Sequence, residues 1–281
     1  MTDDAGHIAA NRAHWDELVG IHVASTGPDG YDVAALRRGD RRLHAIEEAE
    51  LGPVDGLDVL HLQCHFGVDS LILARRGARV TGLDFSPAAV SAARSLAAEL
   101  GLPATFVEGD LYRAPELIEG RFDLVYVTWG TICWLPDLPA WARVVAHFLK
   151  PGGRFYFCDA HPAARVFDDS VEAAALPPGT LRLKYRYFHS PEPTENLATT
   201  DYADPDAEIR NQRSYEWEHG VADIVNAVIG AGLTLDWLHE HDEIAWKLLP
   251  ILVPGAPGQH RWPDGFAPRL PLSLSLSAHR R

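Results

Sequence analysis

Residues 59–67, Val-Leu-His-Leu-Gln-Cys-His-Phe-Gly, and then Val80-Thr-Gly-Leu-Asp84, constrain this chain more than any other stretch. An apolar run enters a tight turn, the turn opens a helix, and a second apolar run ends in a carboxylate. A parallel α/β sheet holds a nucleoside in this order: the backbone of the first turn faces the ligand, and the acid after the second strand takes the ribose hydroxyls. Asp84 lies 17 residues beyond Gly67, close to the roughly 20-residue spacing expected of a ribose-binding acid.

The rest of the chain extends that pattern. Short apolar runs at 58–62, 78–83, 104–107, 122–127 and 154–158 alternate with helical periodicity over Asp69–Arg76, Pro87–Leu100 and Leu138–Leu149, the signature of a parallel sheet wrapped by helices. Gly101 is placed to cap the second of these helices. Upstream, Asn11–Leu18 and Asp32–Glu50 read as helices, separated by the Ser25-Thr-Gly-Pro-Asp-Gly30 loop. After His161-Pro162 the texture changes to Pro, Asp, Glu and aromatics. There Leu181–Phe188 alternates apolar and basic residues as a solvent-facing antiparallel strand does, with a partner within Ile209–Trp217. A helix over His219–Ala231, strands at Leu233–His239 and Leu272–Ala278, and an ordered Pro- and Gly-rich loop at 250–271 complete the reading.

These landmarks resemble the class I S-adenosylmethionine-dependent methyltransferases over most of the chain. Gln63-Cys64-His65-Phe66-Gly67 stands where that family carries a Gly-rich loop, and only the last glycine is kept. The Leu-His-Leu-Gln-Cys-His-Phe-Gly variant resembles a bacterial small-molecule subgroup. Asp84-Phe-Ser-Pro-Ala, Phe106-Val-Glu-Gly-Asp110, Phe122-Asp-Leu-Val-Tyr-Val127 and Phe148-Leu-Lys-Pro-Gly-Gly-Arg-Phe155 follow in the family's order. The resemblance implies a seven-stranded, mostly parallel Rossmann-like sheet with helices on both faces, closed by an antiparallel pair. It divides the chain into an N-terminal helical lid (1–52), an S-adenosylmethionine-binding core (53–162), a β-rich cap insertion (163–217) and a C-terminal helix with the closing strands (218–281). S-adenosylhomocysteine would be the product, and secondary metabolites are the acceptors often associated with the subgroup.

Bulk properties narrow the partners. A formal net charge of −14, with no long Lys/Arg run, disfavours nucleic acid, which needs a basic face. The first residues lack a signal pattern, and no apolar run approaches the roughly 20 residues of a membrane span. Cys64, Cys133 and Cys158 are too few and scattered for a disulfide framework or zinc cluster. They are expected to be reduced thiols in a cytoplasmic protein. The Ala- and Arg-rich composition suggests a GC-rich bacterial genome. No histidine pair has helix-borne metal spacing, so no metal is expected, and the oligomeric state is open.

By resemblance, the cofactor falls to Gln63, Cys64, His65, Gly67, Asp84, Phe85, Asp110, Leu111 and Thr128. Asp84 takes the ribose, Asp110 approaches the adenine amino group, and the Leu111 backbone N–H meets the ring. A helix-capping acid is the competing, less favoured role of Asp110. His65 either meets the sulfonium's surroundings, where with His161 it is a candidate catalytic base, or caps the next helix. His161, at the end of the fifth strand, either accepts a substrate proton or holds the turn at Pro162. Tyr31, Trp129, Trp134, Trp217, Trp246 and His22 are candidates for the substrate wall, where aromatic faces attract a sulfonium; core packing is the competing role of each. Two other classes share the frame. An NAD-dependent oxidoreductase would need glycines where Gln63 and His65 stand. A non-catalytic cofactor-binding regulator would keep the fold without the chemistry.

Overall fold

Alternating burial on the two faces of one sheet organises the molecule. The computed structural model describes residues 4–26, 30–177, 179–204, 206–256, 258–267 and 269–281; the Gly-Pro-Asp part of the expected 25–30 loop lies outside them. Strands β1 (Asp58–Leu62), β2 (Arg79–Asp84), β3 (Ala104–Glu108), β4 (Phe122–Thr128) and β5 (Leu149–Ala160) pair in parallel. The two cap strands are β6 (Thr194–Leu197) and β7 (Arg213–Glu216), followed by β8 (Leu233–His241). Three two-residue strands then form an antiparallel ribbon, β9 (Glu243–Ile244), β10 (Val253–Pro254) and β11 (His260–Arg261), and β12 (Ser273–Arg280) ends the chain. The main sheet runs β3-β2-β1-β4-β5-β12-β8, with β12 antiparallel to both neighbours. This is the seven-stranded sheet expected from the sequence.

Side chains leave successive strand positions on opposite faces. Val59, Leu124, Tyr126 and Tyr156 therefore enter one core and Leu60, Val125, Val127, Phe155 and Phe157 the other. Helices α2 (Val33–Arg38), α4 (Val68–Arg75) and α5 (Pro87–Leu100) cover the first face, and α7 (Leu138–Phe148) and α9 (Val221–Gly230) the second. Local chemistry starts these helices where the pattern expected them. Ser86 and Asp137 accept the Ala89 and Ala140 N–H groups at the entries to α5 and α7, each followed by a proline in the first turn, and Gly101 (φ 61°) ends α5. Gly82 lets β2 pass close beneath the first loop, since a Cβ there would meet both Cys64 Sγ and the Phe106 ring at 2.7 Å.

The remaining helices are α1 (Asp4–Ala24), α3 (Ala45–Glu50), α6 (Ala114–Leu117) and α8 (Pro162–Arg165). α1 is longer than the expected Asn11–Leu18, and the expected 32–50 helix is split by Gly39 (φ 83°) into α2 and α3. α1 is sewn to the cap. Buried Asn11 donates to Tyr215 O (2.8 Å) and accepts from Tyr215 N (2.7 Å), so its amide pairs β7 as a neighbouring strand would. Glu17 takes the N–H groups of Arg210 (2.9 Å) and Asn211 (2.7 Å).

The cap itself departs from the sequence reading. Leu181–Phe188 forms no strand beyond a single bridge from Leu183 to Phe167, and Leu183 and Phe188 are 71% and 79% exposed. Its basic alternation serves ion pairs instead: Arg182 and Lys184 both meet the buried Asp168 carboxylate. β6 paired with β7 is the cap's two-stranded sheet, with β7 inside the expected 209–217 partner.

Because the Asn11 amide satisfies two backbone groups, an Asn11→Leu change leaves both without a partner, at about 1–3 kcal/mol for each that stays buried. Hydrogen exchange should accelerate across residues 4–24 and 213–216 while the β1–β5 amides stay protected. Unchanged exchange in α1 would show that other contacts hold it.

Candidate active site

The carboxyl ends of β1, β2, β3 and β4 open together into a cavity of about 1790 Å³, lined also by residues of α1 and of the 184–202 segment. In open α/β sheets this is the end where ligands bind. The first loop is built without its usual glycines yet keeps a glycine-like backbone: Gln63 (φ 56°) and His65 (φ 49°) both adopt the left-handed conformation before Gly67 (φ 78°). Such residues cost about 1–3 kcal/mol each and persist where surroundings over-determine them. Here the surroundings are visible. Gln63 Nε2 donates to Thr131 O (2.8 Å), and the His65 backbone N–H donates to Asp84 Oδ2 (2.7 Å). Gln63 Oε1 is buried at the cavity and has no donor among the described residues.

Asp84 ends β2 and is 7% exposed. Its second oxygen accepts the Ser86 N–H (2.9 Å). Burial pushes its pKa up to about 6, opposed by these two backbone donors. Phe85 is half-buried beside it and lines the cavity with Leu111. Asp110 also lines the cavity and caps the turn that follows, accepting Tyr112 N–H at 2.9 Å; the binding and capping readings fall on one carboxylate. Cys64, Gly67 and Thr128 line the cavity too.

After β4 the chain turns through Trp129, again left-handed (φ 51°). Asp159 fixes this turn by accepting Gly130 N (2.6 Å), Thr131 N (2.8 Å) and Thr131 Oγ1 (3.1 Å). Trp134 Nε1 donates to Gly130 O (2.6 Å). Trp129 Nε1 donates to Glu47 (2.6 Å), a fully buried acid that also takes the Tyr126 hydroxyl. Burial, reinforced by nearby Asp69, pushes Glu47 up to about 8. Trp129, Trp134, Trp246 and Tyr31 all line the cavity.

Three expected site residues stand elsewhere. His161 caps α8: Nδ1 accepts Ala163 N–H (3.0 Å) and Nε2 meets Glu240 (2.9 Å), outside the cavity lining. The turn-holding role, rather than proton acceptance, is the one its contacts serve. Trp217 is buried in packing, its indole N–H toward Pro191 O (3.4 Å), and does not line the cavity. His22 is buried behind the wall, bonded to His65 (2.8 Å) and Asp201 (3.1 Å). Sequence reasoning missed Glu47, Asp159 as the holder of the β4 turn, and Asp201. Each looks like an ordinary surface acid in the sequence, and its partner is distant along the chain.

No described helix is long and apolar enough to cross a membrane. Residues 59–153 match the methyltransferase domain family. The chain is 33% identical over 133 residues to a ubiquinone biosynthesis O-methyltransferase of Methylobacterium nodulans, covering 46% of this chain and 53% of the relative. Its counterpart in Methylobacterium sp. (strain 4-46) is 30% identical over 177 residues, covering 59% and 68% respectively. The chain thus spans about half to two thirds of the length of these curated relatives. The fold is shared with the S-adenosylmethionine-dependent methyltransferase structure from Mesorhizobium loti, at TM-score 0.54 and 23% identity over 90% of this chain and all of that one. Order of strands, site position and sequence matches agree: the chain belongs to the class I, Rossmann-like S-adenosylmethionine-dependent methyltransferases.

Proposed function

We propose that this protein transfers a methyl group from S-adenosylmethionine to an oxygen, nitrogen or carbon nucleophile of a small molecule, inside the cavity at the carboxyl end of the sheet. The buried Asp84 carboxylate at that cavity is the observation that carries this reading, because an acid pushed up to about 6 by burial gains most from hydroxyl donors. The donor set suits the whole cofactor. Asp84 would take the ribose diol, Asp110 and Leu111 the adenine, and the buried, donor-less Gln63 Oε1 the ammonium of the methionine end. The cofactor, when bound, supplies a methyl carbon on a sulfonium, already activated. The protein's tasks are then positioning, exclusion of water and care of one proton.

Trp129, Trp134, Trp246 and Tyr31 form the acceptor's wall, with residues 163–217 and α1 as its cover. An oxygen acceptor is favoured by the names of the Methylobacterium relatives. A net charge of −14 favours a small acceptor over nucleic acid. Three buried free thiols suit a reducing cytoplasm.

Calorimetric titration with S-adenosylmethionine, S-adenosylhomocysteine and NAD tests the assignment: micromolar binding of both adenosyl compounds and none of NAD is expected. Asp84→Ala should weaken adenosyl binding about 100-fold or more, since charge-assisted hydrogen bonds contribute about 1.5–3 kcal/mol each, with the protein still folded by circular dichroism. Normal affinity in that variant would sink the reading.

The raised pKa of Asp84 gives a pH signature. A raised acid keeps its proton to higher pH, so the ribose-accepting carboxylate is complete only above about 6. Affinity for S-adenosylhomocysteine should rise roughly tenfold from pH 5 to pH 7 and then level off. Asp84→Asn should flatten that rise.

A further inference from the structure

A second constellation meets the cavity where loop, lid and cap touch. His65, on the first loop, lines the cavity; His22, near the end of α1, is fully buried; Asp201, in the cap, is 5% exposed. They form a chain: His65 Nε2 to His22 Nδ1 at 2.8 Å, and His22 Nε2 to Asp201 Oδ2 at 3.1 Å. Tyr31 stacks on His22 with ring centres 4.9 Å apart, and its hydroxyl meets that of Tyr202 at 2.7 Å. Trp15 lies in T-shaped contact with both imidazoles, at 5.4 Å from His65 and 5.9 Å from His22.

Proton counting fixes the tautomers. A carboxylate only accepts, so His22 donates Nε2–H to Asp201. A neutral His22 then carries its lone pair on Nδ1, and His65 must donate Nε2–H to it. That leaves the lone pair of His65 on Nδ1, which has no hydrogen bond to any described residue. His65 is thus an acceptor in form, although burial and the neighbouring His22 hold its basicity well below that of ordinary histidine. A base so placed is weak unless the charge it takes up can move on.

We propose that His65 accepts the acceptor substrate's proton and passes the charge through His22 to Asp201. Nδ1 of His65 takes the proton from the O–H or N–H of the nucleophile. The Nε2 proton of His65 crosses to His22 Nδ1, and His22 becomes an imidazolium held by the Asp201 carboxylate. In the same event the new carbon–nucleophile bond forms, the carbon–sulfur bond breaks, and its electron pair stays on sulfur as a neutral thioether. One proton is left on the relay, for release to water once product departs. His65 is the catalytic member; His22 and Asp201 are positioning residues. The lid and the cap contribute one member each, so the base is complete only when both are seated. The inference rests on the methyl-transfer reading and names the proton path of that same site.

The test is histidine-selective nitrogen-15 NMR of the full chain, alone and with S-adenosylhomocysteine. At neutral pH both His65 and His22 should be Nε2–H tautomers. On acidification, the first proton taken up should appear on His22, with both its nitrogens protonated, while His65 stays neutral. The other titratable groups facing the pair, Tyr31, Tyr202 and Asp84, are controlled by Asp201→Asn. That change should lower the His22 midpoint by at least one pH unit, a tenfold loss of proton affinity, and leave S-adenosylhomocysteine affinity within twofold. A His65 carrying its proton on Nδ1, a first proton that settles on His65, or an Asp201→Asn midpoint that does not move would each overturn the relay. Absence of S-adenosylhomocysteine binding in the wild-type chain would overturn the methyl-transfer reading instead, so the two failures are distinct.

Discussion

Between the ends of β1 and β2, one carboxylate fastens the loop on which the site is built. Asp84 accepts the His65 backbone N–H with one oxygen and the Ser86 N–H with the other, and so joins the first loop to the start of α5. The geometry is demanding, because His65 is left-handed and Gly82 must stay bare for the loop to lie this close. A buried carboxylate with two backbone donors is partly satisfied and retains lone pairs for a ligand. The same group thus holds the loop and presents the charge that a ribose diol would meet.

Around this point the cover is assembled from segments far apart in the chain, and polar side chains do the joining. Asn11 and Glu17 fasten α1 to the cap through backbone groups, while His22 and Asp201 reach from lid and cap toward the first loop. The Asn11 and His22–Asp201 contacts are buried or partly so and directional, and losing one partner there leaves a costly orphan, whereas the exposed Glu17 contacts mainly fix direction. They therefore specify how the cover sits, where apolar packing alone would allow sliding. The β4 turn is held by the same means, through Asp159 on one side and Glu47 on the other.

What was legible in the sequence follows from this division. Strands β1 to β4 begin and end within a residue or so of their apolar runs; β1 and β4, buried on both faces, leave little else for the sequence to be, and edge strand β3 is marked by its one buried side chain, Phe106. The end of β2 and the start of α5 were legible through Asp84 and the Ser86-Pro87 pair. The cap was misread because exposed alternation of Arg182, Leu183 and Lys184 looks like a strand, whereas the buried charge of Asp168 had a stronger claim on both cations. His161 was ambiguous for a related reason: a histidine before Pro162 suits a helix cap as well as a base, and only the Ala163 and Glu240 contacts separate the two. Asp201 was invisible, lying 179 positions from the histidine it meets.

The first loop also separates shape from chemistry. Gln63 and His65 hold backbone angles that glycine adopts freely, so their side chains are additions to a trace that does not require them. Exchanging either for glycine relieves the left-handed strain but gives up a hydrogen bond, Gln63 to Thr131 O or His65 to His22. For an engineer, positions 63 and 65 are sockets: the loop's course is set by Asp84 and Gly67, and the occupant of each socket can be chosen for the reaction wanted.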